Sequence, residues 1–245
     1  MTENQAKALK NNNNANRNIA GCKIIIKPAV LAVIYILLLL HATTALHIKT
    51  EDSTSTEPSS DKQLKVGVYY ETICPDSREF VRNAIYDAMI INDWINYTDL
   101  QFVPYGKVTS WTDPATNITT LFCQHGHSEC EQNALHACIV EHIGAKDQVK
   151  LIACLFKSHA ASLDECASEL VLDVSAVKEC KSTRSTPDIL KKYGDLTDAL
   201  DISFVPSVTF DKKFDRWRQR YFIYNFVVVY CKEYQDTFNL TLPHC

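Results

Sequence analysis

The stretch "LKVGVYYETICPDSREFVRNAI", Leu64 to Ile85, decides how the rest of the chain is read. A β-like apolar run ends at Tyr70, and an amphipathic helical pattern starts near Asp76. Cys74 stands at the junction, with Pro75 behind it in a position that suits the first turn of a helix. Unsatisfied N–H groups and the positive end of the helix dipole gather there and favour a thiolate. That matters because a free cysteine, with a pKa of roughly 8.5, is mostly protonated at neutral pH. Two cysteines spaced C-x-x-C at such a junction would form a redox pair, but the sequence reads Cys74-Pro75-Asp76-Ser77. The Ser77 O–H is expected to donate a hydrogen bond to the Cys74 sulfur, and it cannot displace that sulfur from a mixed disulfide. Arg78, one turn on, is a candidate helper for the thiolate, while Asp76 opposes it.

Working outward, Phe80, Ala84, Ala88 and Ile91 form an apolar stripe at helical spacing. "LQFVPYGKV", Leu100–Val108, is expected to be a second strand with an irregularity at Pro104. Strand, helix and strand make a βαβ unit with Cys74 at its first turn. From about residue 109 to 184 the character changes to helical segments rich in cysteine, expected to be an inserted subdomain stapled by disulfides. Thr186-Pro187 reads as a helix start, and Phe204–Phe210 as a return to β-structure. "RQRYFIYNFVVVYCKEY" near the end is expected to be helical on its length, against the β-branched run Val227–Val229.

The chain has 245 residues, 46% hydrophobic and 22% charged, with a formal net charge of -4. No basic stripe interleaved with aromatics offers a nucleic-acid footprint. Residues 1–46 are expected to lie outside the folded domain. "NNNNANRN" is polar low complexity, and lysines and arginines then precede the apolar run Ala29–Leu40. That run has the length of a signal-peptide core, roughly 7–15 residues, and falls short of the roughly 20 of a spanning helix. A cleaved signal peptide and an uncleaved signal anchor both remain open. Either sends the chain after Leu46 into the secretory lumen, with a membrane attachment only in the second case. A flexible linker is expected over residues 47–63 and one folded domain over 64–245. Sequons at Asn96, Asn117 and Asn239 are expected glycan acceptors.

Of ten cysteines, Cys22 precedes the apolar run, which leaves nine in the lumenal part. In an oxidising lumen most should be bridged, and an odd number leaves at least one over. If that one is Cys74, eight remain for four bridges whose pairing the sequence does not choose. "CQHGHSEC", Cys123–Cys130, brings His125 and His127 between two cysteines, but the spacing matches no standard zinc finger. No metal is expected there; a structural role beside the approach to Cys74 is.

"CQHGHSECEQNALHAC", Cys123 to Cys138, carries a specific resemblance. Its fixed positions Cys123, Gln124, His125, Gly126, Glu129, Cys130, Asn133 and Cys138 resemble the signature of the gamma-interferon-inducible lysosomal thiol reductase family. "VYYETICPDS" and "FVPSVTF" stand where that family keeps its active-site turn and its cis-proline loop. The resemblance covers roughly Leu64 to Cys231. It implies an α/β, thioredoxin-like fold with a disulfide-stapled helical insertion, and a lumenal enzyme, lysosomal or secreted, that reduces protein disulfides. Cys74 would attack the disulfide, and the backbone of Val205 beside Pro206 would pair with the substrate chain. The family's C-x-x-C is C-x-x-S here. Resolution then needs no bound cofactor but an external small thiol such as cysteine. The competing expectation is a catalytically weak module that captures unfolded, disulfide-containing chains. A lipid-binding role for the helical insert, after the manner of saposins, has only the disulfide-laced helices behind it.

Overall fold

The computed structural model of the protein describes residues 62–245, apart from His159. The expected leader (1–46) and nearly all of the expected linker (47–63) lie outside the described residues.

Strand β1, Leu64–Tyr70, occupies the centre of a three-stranded sheet, with one strand on either side. Its side chains are buried on both faces except Lys65, as expected of a central strand flanked by helices. Strand β2, Thr98–Pro104, runs parallel to it in a register that sets Leu64 beside Thr98 and Tyr70 beside Pro104. Strand β5, Ser207–Phe210, is antiparallel, with Tyr69 beside Ser207 and Val66 beside Phe210. Pro104 therefore closes β2 at the sheet edge instead of interrupting it, because a proline has no N–H to give the ladder.

Between β1 and β2, helix α1 spans Pro75–Phe80 and continues in π-helical turns over Val81–Ile85 and Asp87–Ile91. This wider winding shifts the apolar stripe away from the expected 3.6-residue period. Val81, Ile85 and Met89 are fully buried along with Ala88, whereas Ile91, expected on the stripe, is 65% exposed.

The segment after β2 opens with a β-hairpin, not a helix. β3 (Thr109–Thr112) pairs antiparallel with β4 (Thr119–Phe122), and the sequence reading had no strand here. Its β-strand residues are largely exposed, so the hydrophobic pattern that normally announces a strand is missing. Four helices follow: α2 (His127–His142), α3 (Ala145–Leu155), α4 (Leu163–Leu170) and α5 (Ser175–Thr183). Ser162 and Glu165 close a reciprocal capping box at the start of α4. Disulfides Cys123–Cys130, Cys138–Cys180 and Cys154–Cys166 pin this segment, and each begins and ends inside it. The Cys138–Cys180 bridge joins α2 to α5 across the longest loop of the three. Closing it stabilises the fold by about 4 kcal/mol in the chain-entropy account.

Helix α6, Thr186–Asp198, starts where Thr186-Pro187 was expected to start one, with Ser185 capping the Asp188 N–H. The chain then turns through a cis Val205–Pro206 bond into β5. The C-terminal segment is helical as expected, but Asn225 divides it into α7 (Gln219–Tyr224) and α8 (Phe226–Phe238). Phe226, Val229, Tyr230 and Tyr234 of α8 are buried, and Cys231–Cys245 closes the chain's last segment on the helix. A βαβ unit, a helical insertion, an antiparallel strand entered through a cis-proline, and a closing helix make this a thioredoxin-like α/β fold with a disulfide-stapled insertion.

Candidate functional site

Cys74 is the N-cap of α1, in extended conformation, and its carbonyl accepts the Arg78 N–H at 3.1 Å. The side chain is partly exposed, and Cys74 is the single unbridged cysteine among the described residues. Parity and placement thus agree: the other eight cysteines among the described residues are spent in four bridges. The chain reverses at the cis Val205–Pro206 bond so that the Val205 carbonyl oxygen lies 3.9 Å from Cys74 Sγ. Residues far apart in sequence therefore meet in one place. Beside them opens a cavity of about 400 Å³ lined by Asp76, Glu79, Phe80, Pro206, Ile223 and Tyr224, among others. Apolar side chains share its lining with the carboxylates of Asp76 and Glu79 and the guanidinium of Arg220.

Two expectations about neighbours of Cys74 are corrected. Ser77 is fully buried, and its Oγ accepts a long hydrogen bond, 3.5 Å, from the Glu71 N–H. No hydrogen bond joins it to Cys74 among the described residues, because position N3 of the helix turns inward toward the end of β1. Arg78 is not a helper of the thiol either. Its guanidinium donates to the Phe156 carbonyl at 2.9 Å and the Thr72 carbonyl at 3.4 Å, and stacks over the Phe156 ring at 5.2 Å. It points away from Cys74 and ties the β1–α1 turn to the end of α3. Burial lowers its pKa, with the neighbouring Arg82 adding to that.

The signature around Cys123–Cys138 forms the back of the same turn. Asn133 Oδ1 accepts both the Thr72 N–H (3.0 Å) and the Thr72 hydroxyl (2.8 Å), and its amide donates to the Tyr105 carbonyl. Glu129, buried, accepts the His125 N–H at 2.9 Å and pairs with His125 Nδ1 at 2.7 Å. The intervening Gly126 has φ of 88°, a conformation that glycine adopts without steric cost. Glu71, also buried, accepts the Lys107 N–H through Oε1 at 2.6 Å, while its Oε2 has no hydrogen-bond partner. Burial pushes the Glu71 carboxyl up; the Lys107 N–H counters this and nearby Glu129 adds to it. Gly106 lies against this side chain with φ of 67°; a Cβ there would come within 2.1 Å of Glu71 Cγ. Deeper still, the Tyr70 hydroxyl and His136 Nδ1 are hydrogen-bonded at 3.0 Å. Burial, aided by Arg78, depresses the His136 imidazole to about 3.

Cys123 and Cys130 are bridged to each other, so the "CQHGHSEC" segment offers no thiolate for zinc. Two groups could bring metal-ligating atoms together among the described residues, Glu71–His125–Glu129 and Glu141–His142–Cys180. Cys180 is in a disulfide, and in the first group His125 is already paired with Glu129. Sequence reasoning missed Glu71, Thr72, Glu129, Asn133 and His136 as parts of one brace. Glu129, Asn133 and His136 were legible as polar residues on one face of α2, which the fold buries. The three sequon asparagines are all exposed: Asn96 in a 3₁₀ turn, Asn117 in the β3–β4 turn, Asn239 at the end of α8.

A partly exposed thiol at a helix N-cap, opposite a cis-proline loop in this fold, defines the class of thioredoxin-like thiol proteins. The profile of the family "Gamma interferon inducible lysosomal thiol reductase (GILT)" matches residues 65–170. GILT-like protein 2 of Drosophila melanogaster is 38% identical over 188 residues, 77% of this chain and 88% of that protein. The gamma-interferon-inducible lysosomal thiol reductase-like protein of Anopheles gambiae is 30% identical, over 69% of this chain and 76% of that one. The chain belongs to the gamma-interferon-inducible lysosomal thiol reductase family. Among solved structures, oxidised BdbD from Bacillus subtilis aligns at 15% identity and a TM-score of 0.48, over 72% of this chain and 90% of that one. The four disulfides fit an oxidising, secretory compartment.

Proposed function

We propose that the protein is a lumenal thiol–disulfide oxidoreductase that attacks protein disulfides through Cys74 and relies on an external small thiol, such as cysteine, to turn over. The observation that carries this reading is the meeting of the free, partly exposed Cys74 at a helix N-terminus with the Val205 carbonyl, 3.9 Å away. In the first step Cys74 thiolate attacks one sulfur of a substrate disulfide. A Cys74–substrate disulfide forms and the other substrate sulfur leaves as thiolate. An extended substrate segment pairs with the backbone at Val205, beside Pro206, with a neighbouring side chain in the adjoining cavity. Ser77 holds the place of a second thiol but supplies none, so an external thiolate attacks the Cys74 sulfur and releases the second substrate thiolate. A second external thiolate then frees Cys74. Two external thiols are oxidised to one disulfide for each substrate disulfide reduced, and no bound cofactor takes part. The compartment is the lysosome or the extracellular space, which the secretory reading of the N-terminal segment supports.

The test is reduction of a denatured, disulfide-containing protein at acidic pH with excess free cysteine. Several substrate disulfides reduced per protein molecule, lost in Cys74→Ala, is the expected result. A single equivalent held as a covalent adduct that cysteine does not release would instead make the protein a capture module, a reading that Ser77 in place of a resolving thiol favours. No Cys74 adduct at all would remove both.

A further inference from the structure

Segment 211–228 carries two features that the thiol chemistry leaves unused. Trp217 lies in the turn before α7, Tyr221 and Tyr224 on α7 and Val228 in the first turn of α8. All four are exposed, Trp217 by 91% and Tyr224 by 77%. On the other side of the same segment Phe222, Phe226 and Val229 are buried. The segment is therefore apolar on two faces, and the fold covers one. The Asp215 carboxylate accepts the N–H groups of Trp217 and Arg218 and fixes where the exposed stripe begins.

Cations surround that stripe. Arg218 and Arg220 are exposed, and among the described residues neither is paired with a carboxylate; Arg216 is paired with Asp201. Arg218 stacks over Phe222 at 4.7 Å and Arg220 over Tyr224 at 5.9 Å, which keeps both guanidiniums beside the aromatic rings. A chain with a net charge of -4 thus bears a local basic and aromatic island.

We propose that this face docks on an anionic lipid surface. Tryptophan and tyrosine rings settle at the headgroup level of a bilayer, and flanking arginines and lysines are drawn to negative headgroups. Trp217, 91% exposed, protrudes from the surface and lines none of the cavities among the described residues, which suits a flat partner. Tyr224 and Arg220 also line the cavity beside Pro206, so the docked face is continuous with the Cys74 site. Disulfides of chains held at the lumenal membrane surface would then be the ones presented to Cys74.

The test is flotation of the full-length protein with vesicles of phosphatidylcholine alone or mixed with phosphatidylserine. Binding is expected to favour the anionic vesicles. It should fall steeply in high salt, where the screening length shrinks from about 8 Å at 0.15 M to about 3 Å at 1 M. Arg218→Ala should weaken it about fivefold, the equivalent of ~1 kcal/mol for one cation at a membrane surface. Trp217→Ser/Tyr221→Ser should weaken binding to the anionic vesicles while leaving alkylation of Cys74 unchanged. A retained N-terminal anchor would tether wild type and variants alike, so the contact is also read directly, by quenching of Trp217 fluorescence with brominated lipid, taken against Trp217→Phe. Absence of Trp217 quenching, or equal binding to both vesicles, would overturn the proposal. It would equally be overturned if the double variant bound vesicles like wild type but lost adduct formation with a denatured, disulfide-containing protein in lipid-free solution. That result would give the stripe to the substrate chain.

Discussion

Replacing Ser77 with cysteine should convert a protein that needs an outside thiol into one that resolves its own mixed disulfide. Cys74 is the N-cap of α1 and Ser77 is its third helical residue. Position N3 lies one helical turn from the N-cap, the spacing at which a sulfur at 77 can bridge to Cys74. The present Ser77 hydroxyl gives up little, a 3.5 Å hydrogen bond from the Glu71 N–H, although the site is fully buried. Exchanging oxygen for the larger sulfur should therefore cost about 1 kcal/mol, the low end of overpacking penalties. The kinetic gain is larger. Well-oriented intramolecular groups reach effective molarities of about 10⁵ M, and even about 1 M would outrun ~1 mM external thiol roughly a thousandfold. The assay is a single turnover with a denatured, disulfide-containing protein and no added thiol, quenched in acid and read by mass spectrometry. Ser77→Cys should release fully reduced substrate and carry a disulfide between Cys74 and the new cysteine. The parent should accumulate a covalent adduct. A folded variant that forms no such bridge would refute the N-cap geometry used here and the reading of the site as a lapsed dithiol centre.

Other expectations can be checked on the same material. Arg78→Met removes the cation that satisfies the Phe156 and Thr72 carbonyls and should cost about 2–3 kcal/mol, seen as a lower denaturation midpoint at unchanged slope. His136, depressed to about 3 when folded, takes up a proton below about pH 6.5 only in the unfolded chain. Its contribution is therefore lost as pH falls from about 6.5 toward 3, by about 2 kcal/mol at pH 5. His136→Gln should flatten that part of the stability profile, and an unchanged slope would place the proton uptake elsewhere. Glycosidase treatment of protein from a secretory host should lower its mass at two or more of Asn96, Asn117 and Asn239; no change would contradict the export reading.

Much of the frame was legible because it depends on local rules. Leu64–Tyr70 is buried on both faces and reads as a strand, Pro75 and Thr186-Pro187 mark helix starts, and an odd cysteine count leaves at least one thiol unpaired. The hairpin Thr109–Phe122 was not legible, since its exposed strand residues carry no apolar alternation. The exposure of Ile91 was not legible either, because π-helical winding has no signature in a 3.6-residue pattern.

The sequence by itself determined what chemistry is possible at the first turn: one sulfur at Cys74, a hydroxyl at Ser77, and no second thiol within reach along the helix. Tertiary structure decided everything that depends on approach through space. It set Val205 against Cys74 across 131 positions of chain. It turned Ser77 and Arg78 inward, and it recruited Asn133, Glu129 and His125 as the brace behind Thr72. Two of the four bridges, Cys138–Cys180 and Cys154–Cys166, were likewise settled by which helices pack together. Side-chain identity fixes the reactivity a residue can have, whereas the partner it meets is fixed by burial and hydrogen-bond satisfaction summed over the whole core.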